Sequence, residues 1–79
     1  MLDFELMHDD GDEVAYRYLC EGDANRSGMV KFSRSTGDVT SVERAKGDDL
    51  GIYWGHLASR LREFLKTGNF EPNGMVAWY

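Results

Sequence analysis

Between Gly47 and Gly68 the chain reads GDDLGIYWGHLASRLREFLKTG, and its apolar residues recur at helical spacing. Leu50, Trp54, Leu57, Leu61, Phe64 and Leu65 share one stripe, with Tyr53 and Ala58 at its margins. The spacing predicts a helix over residues 49–67. Asp48 or Asp49 can accept hydrogen bonds from the free amides at its start, and both suit the positive end of the helix dipole. Lys66 suits the other end, and Gly68 is placed for the left-handed residue that closes a helix. A lone amphipathic helix cannot bury its stripe against itself, so the rest of the chain must supply an apolar layer.

That layer reads as strands. Leu2, Phe4 and Leu6 alternate with Asp3 and Glu5, the period-two pattern of a strand with one buried face. After the turn DDGDE, Val14, Tyr16, Tyr18 and Cys20 occupy one face of a second strand, and Ala15, Arg17 and Leu19 the other. GDANRSG is a polar loop bounded by glycines, and MVKFSR then makes a third strand with Val30 and Phe32 inward. STGD turns the chain into VTSVER, where Val39 and Val42 are three apart; a bulge in this fourth strand would put both on one face. Beyond the helix, Pro72-Asn73-Gly74 reads as a turn, and MVAWY as a short fifth strand or an apolar tail. The hairpin from Gly28 to Glu43 resembles the strand-turn-strand pattern of PepSY-type domains over that hairpin alone, and no family is inferred from it. The expected fold is α+β: a mainly antiparallel sheet of four or five strands, β-β-β-β-α(-β), covered on one face by a single helix, with residues 1–79 as one domain.

Gly51 and Gly55 sit inside the predicted helix, where each glycine costs about 1 kcal/mol relative to alanine. They flank the Ala58 edge of the stripe. A compensating contact is expected there, either the backbone of MVAWY or a second copy of the chain. The competing expectation is a frayed first turn, with regular helix beginning nearer His56.

Composition narrows the function. Fourteen Asp and Glu against nine Lys and Arg leave a net charge of −5, which repels phosphate backbones and anionic membrane surfaces. No apolar run approaches the roughly 20 residues that span a bilayer. A single cysteine, Cys20, forms no internal disulfide, and the acidic N-terminal stretch lacks the pattern of a signal peptide, so a cytoplasmic location is expected.

No stretch carries a catalytic or cofactor signature. The carboxylates Asp9, Asp10, Asp12 and Glu13 surround Gly11, but the EF-hand spacing is missing and turn chemistry accounts for them. His8, Asp9, Cys20 and His56 could be assembled on paper into a thiol nucleophile with its base, yet Cys20 lies in register with the core face of its strand. One cysteine and two distant histidines do not make a zinc site. No metal and no cofactor is expected. The expectation is a non-catalytic protein-interaction module, of inhibitor or immunity type, that engages a protein partner or a second copy of itself, with Tyr16, Tyr18, Gly51, Gly55, Trp78 and Tyr79 as its surface. The competing expectation is a small enzyme or ligand-binding domain whose pocket between helix and sheet is lined by Tyr16, Tyr18, Cys20 and His56.

Overall fold

The computed structural model describes residues 1–78. Strands β1 (Leu2–Asp9), β2 (Glu13–Cys20), β3 (Ser27–Ser33) and β4 (Asp38–Glu43) precede helix α1 (Ile52–Thr67), and β5 (Asn73–Val76) follows it. They form one antiparallel sheet in the order β4-β3-β2-β1-β5, with α1 packed across one face. The α+β architecture expected from the sequence is the one observed, with the fifth strand present. It occupies Asn73–Val76 rather than 75–79, because Asn73 and Gly74 pair with Glu5 and Phe4 instead of turning.

The alternation in the strands sets which face meets the helix. Leu2, Phe4, Val14, Tyr16, Tyr18, Cys20, Val30 and Phe32 are buried against Leu57, Leu61 and Phe64 of α1. The bulge expected in β4 is present: Lys31 pairs with Ser41 and Phe32 with Val39, leaving Thr40 as the extra residue that brings Val39 and Val42 onto the core face. A second register shift at Met7 in β1 was not expected, since only polar residues follow it and no apolar pattern marks the slip.

The helix begins at Ile52, three residues later than expected. Gly51 adopts a left-handed conformation with φ 71°, which breaks the helical path toward residue 49. Leu50 therefore falls outside the stripe and is 86% exposed. Of the two aspartates expected to accept the helix-start amides, Asp48 does so, its side chain folding back beneath the first turn. Its Oδ1 accepts the Tyr53 amide (3.1 Å), and its Oδ2 accepts the Trp54 amide (3.1 Å) and the Tyr18 hydroxyl (2.7 Å). The Tyr18 hydroxyl in turn accepts the Ala45 amide at 2.9 Å. One buried carboxylate thus joins the sheet, the approach loop and the helix N-terminus. At the other end Gly68 closes α1 in the left-handed region, donating its amide to Phe64 O.

Tyr18 reaches Asp48 because its cross-strand partner is glycine. Gly28 lies opposite Tyr18 in β3, and a Cβ built there would stand 2.5 Å from both the Tyr18 ring and the Glu43 carbonyl oxygen. Phe4 uses Gly74 of β5 in the same way, its ring tip 2.7 Å from the Cβ that alanine would add. Two strand glycines therefore make room for two aromatic rings beneath the helix.

Tyr16 and Tyr18 are core residues, not the surface residues the sequence suggested, and both have hydrogen-bonded hydroxyls; that of Tyr16 donates to Glu71 O at 2.7 Å. Burial pushes the Tyr16 hydroxyl up to about 12, and burial likewise raises Tyr18. An unfolded tyrosine ionises near 10. The stability held in the neutral hydroxyls is intact below that value and is lost as pH rises through the folded values. Urea midpoints should fall steeply between about pH 10 and 12, and Tyr16→Phe should flatten that alkaline arm.

A Cβ at Gly55 would meet nothing within 4 Å. The slot expected beside Gly51 and Gly55 does not hold the C-terminal backbone, which pairs with β1 instead. Gly55→Ala should accordingly raise stability by about 1 kcal/mol, measured by urea unfolding. Among the described residues no helix is long and apolar enough to cross a membrane.

Candidate functional site

One helix covers only one face of the sheet, so register places a second set of side chains on the other. Across the sheet run two rows that straddle the backbone of Phe4 and Gly74. Asn73, Glu5, Arg17, Met29 and Glu43 stand abreast in one, and Met75, Asp3, Leu19 and Ser27 in the next. Beyond them His8, Ala15, Lys31 and Ser41 form a third row. Ala15 is buried by its neighbours, Arg17, Leu19 and Met29 are half-buried, and Glu5, Lys31, Glu43 and Met75 are exposed. Ala15, Arg17 and Leu19 share the central strand β2, the carboxylates Asp3 and Glu5 stand beside them on β1, and Met75 and Glu43 lie on the two outer strands.

Asp3, Glu5, Arg17, Leu19 and Asn73 wall a depression of about 300 Å³ whose floor includes Phe4 and Gly74. It opens beside β5, where the small residues Asn73 and Gly74 offer little side chain. Asp3 and Glu5 are two residues apart on one strand and point to the same side. No salt bridge within 4 Å joins Asp3, Glu5, Arg17, Lys31 or Glu43 among the described residues. Glu5 and Arg17 are cross-strand neighbours that both line the depression without forming a direct ion pair.

The remaining residues singled out from the sequence go elsewhere. Trp78 folds back over α1, stacked on His56 at 4.0 Å between centroids and edge-on to Tyr53 at 5.3 Å. Its ring is half-buried by the chain's own helix, which ties down the C-terminal segment. Tyr79 lies outside the described residues. Gly51 serves the helix start, and Gly55 faces open space.

The imagined thiol site is not brought together. Cys20 pairs with Leu2 at one end of the β1-β2 hairpin, while His8 and Asp9 pair with Ala15 and Val14 at the other. Cys20 is six residue steps along the strand from Val14, roughly 20 Å at strand rise. Burial raises the Cys20 thiol above its ordinary range, which suppresses the nucleophilic thiolate. Tyr16, Tyr18 and Cys20 fill the layer between helix and sheet, and His56 lies outside it under Trp78. These four residues line no common pocket.

The acidic turn is explained by its own hydrogen bonds. Asp10 Oδ1 accepts the amides of Asp12 and Glu13, and Asp12 accepts the Ser35 amide and the Ser33 hydroxyl. Asp9 takes both ends of the Arg34 guanidinium, at 2.7 and 2.9 Å. That pairing, then the Gly11 amide, holds the Asp9 carboxyl well below the usual carboxylate range. Arg34 also lies over the Phe70 ring at 4.4 Å, so the turn clamps the β3-β4 connection and the segment after α1 together. Among the described residues no group of three metal-ligating side chains is assembled.

The signal for the open face was present in the sequence as the second half of each alternation: Asp3 and Glu5, then Ala15, Arg17 and Leu19. What needs the pairing of strands, and is not in the alternation, is which of these residues stand abreast of Met29, Asn73 and Met75. Compared with protein-family models, with curated proteins and with solved structures, the chain matches none.

Proposed function

We propose that this protein is a non-catalytic interaction module that binds a basic protein partner through the sheet face opposite its helix. The observation that carries this reading is the register. It sets half-buried Leu19 and Met29 and exposed Met75 among the carboxylates Asp3, Glu5 and Glu43, with Asp3 standing between Leu19 and Met75. Half-buried apolar side chains interleaved with charge suit a protein surface, and methionine adapts to partners of varied shape. A net charge of −5 attracts a basic partner at long range and speeds encounter. An inhibitor or immunity-type protein uses charge in this way.

Affinity capture from the native host tests the reading. A stoichiometric basic protein should be retained by the wild-type chain. Retention should weaken at high salt, and it should be lost with the double charge reversal Glu5→Lys and Glu43→Lys, both exposed positions. A small metabolite co-purifying with no protein, unaffected by those reversals, would favour a ligand-binding role instead.

A further inference from the structure

We infer that the free edge of β5 accepts an extended segment of the basic partner as a sixth strand of the sheet. This rests on the proposed protein-binding role and specifies how that role is carried out.

The two edges of the sheet are built differently. β4 begins with Asp38, ends with Glu43 and is bulged at Thr40, features that discourage strand addition. β5 is Asn73-Gly74-Met75-Val76, with no charge, no proline and no bulge. Its hydrogen-bond phase follows from one contact: the Leu6 amide donates to Pro72 O at 2.7 Å. Register continues through Phe4 with Gly74 and Leu2 with Val76, so Pro72, Gly74 and Val76 turn toward β1. Asn73 and Met75 then direct both N–H and C=O away from the sheet, where no further strand lies among the described residues. Met75 is also 53% exposed.

The edge supplies the site, and the charges beside it select the occupant. A strand added there would run roughly 10 Å from β1, two strand spacings away. A side chain on the open face beside Asn73 would lean over the 300 Å³ depression toward Asp3 and Glu5. A lysine or arginine spans that gap and meets Asp3 and Glu5, which among the described residues have no cation within 4 Å, while Arg17 lines the far side of the depression on β2. A second copy of the chain would bring Asp3 and Glu5 toward their own images, and like charges disfavour it.

The test is amide hydrogen exchange on the full chain with two probe peptides, (Lys-Val)5 and (Glu-Val)5. The lysine peptide should slow exchange at Asn73 and Met75 at least tenfold, and the glutamate peptide should not. Met75→Pro removes an outward N–H while leaving the ladder to β1, with continued protection of Phe4 as the check on folding. Asp3→Asn with Glu5→Gln removes the selecting charge. Each variant should weaken lysine-peptide binding at least tenfold. Unchanged exchange at Asn73 and Met75 overturns the inference, whether or not the peptide perturbs Arg17 and Leu19. Slowing that grows with protein concentration in the absence of peptide overturns it in favour of self-pairing. A captured basic protein that leaves Met75 exchange unaltered overturns the edge site alone, whereas failure to capture any protein counts against the interaction role itself.

Discussion

Asp48→Ala should lower stability by about 3 kcal/mol, because it strands several donors at once. The Tyr18 hydroxyl loses its acceptor in the buried layer, and the Tyr53 and Trp54 amides lose theirs at the helix start. For a chain of this size that loss lowers the thermal midpoint by about 15 °C. Asp48→Asn keeps one acceptor oxygen and should be the milder change. Tyr18→Phe removes a partner of Asp48 and of the Ala45 amide, so combining it with Asp48→Ala should cost less than the sum of the two singly. Additive losses would mean that the hydroxyl and carboxylate act separately. Thermal unfolding followed by circular dichroism measures all of these.

Gly28→Ala should be nearly as severe, with a loss of about 3 kcal/mol, the upper range for overpacking. The added Cβ meets the Glu43 carbonyl oxygen at 2.5 Å as well as the Tyr18 ring. A flexible side chain could move aside, but the backbone of β4 cannot do so without parting from β3. Tyr18→Leu should therefore rescue Gly28→Ala only in part. Gly55→Ala should move stability in the opposite direction, and this contrast separates a glycine required by packing from one that is merely tolerated. Equal effects at the two positions in urea unfolding would contradict the packing described for Tyr18.

The strands were legible because one face of each is apolar at period two, and Val14, Tyr16, Tyr18 and Cys20 show it most cleanly. The β4 bulge was legible for the same reason, since Val39 and Val42 could share a face only with an extra residue between them. The helix start was misplaced because Leu50 fits the stripe by spacing, while the left-handed turn at Gly51 leaves no trace in a hydrophobic pattern. The pairing of Tyr18 with Gly28 needs register, which depends on the loops between strands. Without register, nothing in the pattern shows that Tyr16 and Tyr18 are both buried beneath the helix, so the sequence suggests them for a partner surface. The open face has the same gap: its residues are visible as the other half of the alternation, but which of them stand side by side depends on strand order and register.

A soluble paramagnetic probe, read at assigned methyl groups, tests the central claim that this second face is open. In the isolated protein the methyls of Leu19, Met29 and Met75 should broaden strongly, and those of Leu57 and Leu61 should stay sharp. Leu19 and Met29 as well shielded as Leu61 would contradict the account.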